Sequence, residues 1–293
     1  MNVSIVIPSP SPVIPSAARD LQLFGAGFAR DLQVMSLISL LGVSTPLQAQ
    51  SLAARVASAG DGAITFHFAP RPGLCGDGEH YIRTGRHSYH GSFSYGSYSN
   101  GRPNAPCVVG PVQVRLTVFE GAVDRVQTWA GPLRPREARD LGVVSAPEAA
   151  RYLLSIAASG RATTSAKAIL PAVLADSARV WPTLLAIARD SDTRTRSTRQ
   201  EAMLFLSRFA AGAIAGRPDD PFVEDEESGD ADEELKTHAV FVLSQLPRSE
   251  GIPSLLEVAR SNKNRRVRGQ ALFWLGQSGD PRAIELFESV LRR

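Results

Sequence analysis

The chain is short of the features that announce a membrane span or a familiar catalytic centre. No apolar run approaches the roughly 20 residues that a spanning helix needs. There is no HExxH motif and no CxxC pair, so the compact zinc signatures are missing. No Ser-His-Asp order and no nucleophile elbow is recognisable. Charge of one sign is also scarce: 32 basic residues stand against 29 acidic ones, a net +3. That exerts no strong pull toward nucleic acid or anionic membrane. These absences point to a non-enzymatic protein with no cofactor, no nucleic-acid partner and no membrane span.

Cysteine is nearly absent, with two in 293 residues, Cys75 and Cys107. In an exported protein such a pair reads as a disulfide. Closing a loop of about 31 residues stabilises the fold by about 3–4 kcal/mol in the chain-entropy model. Export is itself suggested by Val34 to Val43, an apolar stretch followed by Thr45-Pro46-Leu47-Gln48-Ala49-Gln50. This pattern resembles the core and cleavage region of a secretory signal, cut after Ala49 or, at a second site, after Ala53. No cysteine follows it, which argues against a lipid anchor. Ahead of it, Ile7-Pro8-Ser9-Pro10-Ser11-Pro12 is low-complexity, and Ala18-Arg19-Asp20-Leu21-Gln22 recurs as Ala29-Arg30-Asp31-Leu32-Gln33. Residues 1–49 are therefore set aside as a signal peptide behind a mis-assigned N-terminal extension, with Met35 a candidate start. The expected location is periplasmic or secreted.

From Asp61 the pattern alternates. Ile64, Phe66 and Phe68 interleave with Ala63, Thr65 and His67, the period of a half-buried strand. Val112, Val114, Leu116 and Val118 do the same, and Glu120-Gly121 turns the chain into Val123, Val126 and Trp129. A hairpin over 112–129 is expected. With the first strand it makes a small β module at 51–131, stapled by the disulfide. Pro132-Leu133-Arg134-Pro135-Arg136 then reads as a linker.

Beyond it the chain is helical. Ser145-Ala146-Pro147-Glu148 has the form of a capping box. Ala166 to Leu174 reads as a helix in which Pro171 predicts a kink or an early break. Further helices are expected over 180–189, 199–214, 235–246, 252–260 and 265–277. Asp280-Pro281 starts the last one as cap and first residue.

These helices repeat. Leu184-Leu185-Ala186-Ile187-Ala188-Arg189 returns as Leu255-Leu256-Glu257-Val258-Ala259-Arg260. Ala239-Val240-Phe241-Val242-Leu243-Ser244 returns as Ala271-Leu272-Phe273-Trp274-Leu275-Gly276, 32 positions on (239 to 271). That spacing suits one helix pair per repeat, and stacked pairs share a core that a single pair cannot bury. The run Arg266-Val267-Arg268-Gly269-Gln270-Ala271-Leu272-Phe273-Trp274-Leu275-Gly276, with Gly279-Asp280-Pro281-Arg282-Ala283-Ile284 after it, resembles HEAT repeats. The resemblance is close over 264–292 and looser back to about 175. Cys75-Gly76-Asp77-Gly78 and Cys107 through Gly110-Pro111 are similar to a pattern in exported bacterial HEAT proteins. The fold class is thus mostly α: a short HEAT-like α-solenoid at 143–293, with an acidic insert at 216–233, preceded by the β module. What the resemblance implies is a scaffold for contact with a protein partner.

Two groups of residues are candidates for that contact. The first is basic: Arg265, Arg266 and Arg268 in one turn, Arg194, Arg196 and Arg199 in an earlier one. If successive turns line one edge, they form a ridge that the acidic insert could cover. The plainer reading has them capping helices and pairing locally. The second is the loop between the cysteines, where Tyr89, Tyr95 and Tyr98 suit adaptable contacts. A competing reading makes this loop a metal-binding or enzymatic module, with His80, His87 and His90 as ligands and the helices as support. A third makes the chain a purely structural envelope component. The acidic insert lacks the residue order of an EF-hand calcium loop.

Overall fold

The structure, a computed structural model, describes residues 50–84, 87–90, 94–95, 106–159, 162–190, 196–223 and 231–293, with the backbone alone for 87–90, 94–95, 162–163 and 231. The expected signal and extension at 1–49 lie outside these residues. In chain order the elements are α1 (Leu52–Ala59), β1 (Gly62–Phe68), β2 (Leu74–Gly76), β3 (Tyr81–Thr84), β4 (His87–His90), β5 (Ser94–Tyr95), β6 (Val112–Phe119), β7 (Ala122–Ala130) and β8 (Arg139–Val143). Eight more helices follow among the described residues: α2 (Ala146–Ala158), α3 (Ala162–Leu174), α4 (Trp181–Arg189), α5 (Arg196–Ile214), α6 (Ala231–Gln245), α7 (Arg248–Ser261), α8 (Arg265–Ser278) and α9 (Pro281–Leu291).

The alternation in the sequence becomes the main sheet, ordered β7-β6-β1-β8. The hairpin turns at Glu120-Gly121, and β6 pairs antiparallel with both β7 and β1. Ile64, Phe66, Phe68, Val112, Val114 and Leu116 are buried on the inner face, against which α3 packs. The fourth strand, β8, lies where a linker and then helix were expected. It runs parallel to β1. Arg139-Asp140-Leu141-Gly142-Val143 carries too little apolar periodicity to announce a strand, so its conformation comes from its neighbour.

Two short-range expectations also change. Ser145 makes no side-chain cap to α2, so the capping box does not form. Glu148 instead reaches across the chain, its Oε1 accepting the Leu52 N–H at 2.6 Å. It therefore caps α1, a helix at Leu52–Ala59 where the sequence suggests only a second cleavage site and the start of the β module. Ser51 accepts the Ala54 N–H, and Leu52 and Val56 are buried one turn apart. Pro171 does not end α3, which continues to Leu174.

The second sheet, β2-β3-β4-β5, carries the staple. Cys75 and Cys107 are disulfide-bonded, with Cα atoms 5.2 Å apart. Beside them Gly76 and Val108 exchange two backbone hydrogen bonds. The glycines of the resemblance motif acquire a physical reason here. A Cβ on Gly76 would stand 2.3 Å from the Ala130 carbonyl oxygen, one on Gly78 2.3 Å from that of Pro132, and one on Gly110 2.3 Å from that of Gly131. The stapled segment crosses the end of β7 backbone against backbone, and a side chain cannot fit. Arg136 closes the same junction. It lies 3.3 Å over the Trp129 ring and donates to the Gln113 side chain and the Gly78 carbonyl.

Sheet and helices share a continuous core, and Arg71 sits where they meet. Its backbone N–H donates to Leu174 O, and its guanidinium donates to Val173 O (2.7 Å), Ala178 O (2.7 Å) and Asp219 O (2.6 Å). The side chain is 8% exposed and leans on the Phe209 ring. Burial lowers its pKa, against the pull of Asp220, Asp219 and Asp176.

Candidate protein-interaction surface

The helices do not stack in simple chain order. Helices α6 and α8 run parallel: Glu233 pairs with Arg266 at their starts (2.9 Å), and Phe241 meets Trp274 further along, ring centroids 5.4 Å apart. With α7 and α9 they form one repeat run. On its other side α8 packs on α5, and there the direction is reversed. A Cβ on Gly276, late in α8, would stand 2.7 Å from Ser207 Oγ and 3.0 Å from Met203 O. Arg268, early in α8, lies with Ala213 and Ile214 at the end of α5. So α8, not α6, is the helix against α5.

The segment after α5 makes this possible. Residues 217–220 fold back over Gly212, where a Cβ would stand 2.2 Å from Asp220 O, and Phe222 packs against the core. The first part of the expected acidic insert is therefore packed. Its last residues begin α6, where Asp232, Glu233 and Glu234 occupy the first turn and complement the helix dipole. Residues 224–230 lie outside the described residues.

The reversal corrects the ridge. The start of α5 and the start of α8 lie at opposite ends of the packed helices, so Arg196 and Arg199 do not join Arg265, Arg266 and Arg268; Arg194 lies outside the described residues. Locally the arginines complete helix ends. Arg199 donates to Asp190 O after α4 (2.8 Å), and Arg268 donates to Asn262 O after α7 (2.9 Å). Asn264 caps α8 by accepting the Val267 N–H, while its side-chain amide donates to Glu233. Arg265 is exposed at the start of α8.

Where α5 ends, these residues enclose a pocket of about 490 Å³. Ala213, Ile214, Ala259, Leu286 and Val290 form its apolar walls, with Ser289 beside them. Arg260, Arg268 and Arg293 supply cationic groups from α7, α8 and the end of the chain after α9. Arg268 was a candidate from sequence. Arg260 and Arg293 were not, because only the packing of α7, α8 and the end of the chain beside α5 brings them to one place. A pocket lined by apolar side chains and three arginines suits a peptide segment carrying carboxylates.

The loop candidates stand in the second sheet. Tyr89 and Tyr95 are register partners across β4 and β5. His87 stands opposite Thr84 and His90 opposite Tyr81. Tyr98 lies outside the described residues. His80 is bound locally, its Nδ1 3.1 Å from Asp77 Oδ2. Partial burial would raise the Asp77 pKa, but the N–H groups of His80, Glu79 and Tyr81 and the His80 ring outweigh it and hold it at about 2. Asp77 thus shapes the turn before β3. Among the described residues no three His, Cys, Asp or Glu side chains are grouped to hold a metal ion, and no helix is long and apolar enough to cross a membrane.

One further titratable group stands out. Burial raises the pKa of Glu201, in α5, to about 7, against the opposing effect of Arg208.

No curated protein and no solved structure matches the chain. Residues 225–293 match the family model of HEAT repeats. The match spans α6 to α9, the same run in which α6 and α8 stack in parallel, and together they support a HEAT-repeat region at the C-terminal end of this protein.

Proposed function

We propose that this protein is a non-catalytic scaffold, exported to the bacterial envelope, that holds an acidic segment of a partner protein in the Arg260–Arg268–Arg293 pocket. The pocket is the observation that carries the reading: three arginines from the residues that match HEAT repeats line it together with apolar side chains, two of them from α5. Repeats of this kind commonly serve protein contact, because stacking leaves long surfaces open. The Cys75–Cys107 bond supports an oxidising compartment.

A photo-reactive residue at Ser289, in the full-length product expressed from its own start in a Gram-negative host, tests it. Cross-linking to an acidic stretch of an envelope protein is expected, with no such adduct from the same residue at Phe119 on the hairpin tip. The chain recovered from the periplasm should have lost about 49 residues. Identical adducts from both positions, or an uncleaved cytosolic chain with free thiols, would overturn the reading.

A further inference from the structure

Among the described residues α6, the first helix of the HEAT-like run, packs on α7 and α8. One side of this helix faces α8, and there Glu233, Thr237, Val240 and Ser244 follow one another at helical spacing; Val240 is 2% exposed. The opposite side carries Leu235, Ala239 and Val242, and Leu246 follows directly after the last residue of the helix. All four are exposed, Leu235 at 67% and Val242 at 49%. A helix in the middle of a stack would have a neighbour there.

The four positions are spaced by four, three and four residues, the alternation of a two-helix seam. The order is also self-complementary. When α6 is laid antiparallel on a second α6, each Leu235 meets a Leu246 and each Ala239 meets a Val242. The small residue stands opposite the larger one at the centre, so the two helices can approach closely.

Charge favours the same orientation. Asp232 and Glu234 are exposed in the first turn, while the exposed Arg248 follows the other end. Parallel pairing would set acidic turn against acidic turn. Antiparallel pairing sets each acidic turn against the partner's Arg248 and the negative end of its helix dipole.

We propose that the protein forms a two-fold symmetric dimer through α6, antiparallel, with Leu235, Ala239, Val242 and Leu246 as the seam. The seam is about 16 Å long, so the interface is small and association is reversible, at the weak end of specific interfaces. The proposal does not depend on what the basic pocket binds.

Sedimentation of the full chain across a concentration series gives the first test. A monomer–dimer equilibrium is expected. Val242→Glu should raise its dissociation constant at least roughly tenfold, since it sets two charges across the closed seam. Val109→Glu, at a still more exposed valine in the stapled segment, should leave it unchanged. The orientation is read by oxidative cross-linking. Leu235→Cys mixed with Leu246→Cys should cross-link, whereas each alone should not, because identical positions lie about 16 Å apart in the antiparallel pair. A chain that stays monomeric throughout, a dimer indifferent to Val242→Glu, or Leu235→Cys chains that link to themselves would overturn the proposal.

Discussion

Truncating Arg71 to alanine should uncouple the sheet from the helices. Three carbonyl groups depend on its guanidinium: Val173 in the last turn of α3, Ala178 in the connection to α4, and Asp219 in the folded-back segment after α5. Helix-end carbonyls have no intrahelical partner, so the arginine is their substitute. A hydrogen bond from a charged donor contributes about 1.5–3 kcal/mol, but desolvating the guanidinium cancels much of that. Removal is costlier than the net worth of the contacts, because it leaves the acceptors unpaired and opens a space beside Phe209. We expect Arg71→Ala to lose about 3–5 kcal/mol. With a urea m-value of about 2–3 kcal/mol/M, the midpoint should fall by about 1–2 M. Arg71→Lys should recover only part, since one ammonium cannot reproduce the fork that reaches three directions. Urea titration followed by far-ultraviolet circular dichroism and by tryptophan fluorescence reads both quantities. A loss below about 1 kcal/mol would refute the reasoning, since surface substitutions cost as much.

Reducing the disulfide should cost about 3–4 kcal/mol for its loop, read as a lower melting temperature in dithiothreitol that Cys75→Ala with Cys107→Ala reproduces. Gly76→Ala should destabilise by about 1–3 kcal/mol or more, because its Cβ would meet backbone rather than a side chain that can move; a neutral melting temperature would contradict the crossing. Glu201 carries a raised pKa, so its protonated form is the one the fold prefers. Its contribution is present below about 4.5 and lost as pH rises through about 7, a fall that Glu201→Gln should abolish in stability measured against pH. Glu148→Ala should expose the start of α1 at a cost of about 1 kcal/mol, seen as faster amide exchange at Leu52 with α2 unchanged.

The elements that carried their own period were legible in the sequence. The hairpin turn at Glu120-Gly121 and the apolar face of β1 follow from alternation, and α8 and α9 follow from the repeated run Ala271 to Gly276 and the Asp280-Pro281 start. The cysteine pair was legible for the same kind of reason, since only one pairing exists. What escaped depends on contacts between distant segments. β8 is a strand because β1 lies beside it. Glu148 left its own helix for α1 because the Leu52 N–H lay within reach. Nothing in Pro70-Arg71-Pro72-Gly73 marks Arg71 as other than a loop arginine, and its role appears only when 173, 178 and 219 converge. The basic ridge failed for a topological reason: the repeats predict helices, but the packing of α8 against α5 decides which turns share an edge. That same reversal sets Ala213 and Ile214 at the end of α5 beside Arg268, and so adds a wall to the pocket of Arg260 and Arg293 that no local pattern could have announced.

The most direct test of the scaffold is a titration of the full chain with a fluorescent poly-glutamate peptide at low and raised salt, repeated with Arg260→Glu plus Arg268→Glu. Saturable binding that weakens with salt, and falls at least roughly tenfold in the double variant while the melting temperature holds, is the expected result. Binding that is absent, or that the two charge reversals leave unchanged, would contradict the assignment of the pocket.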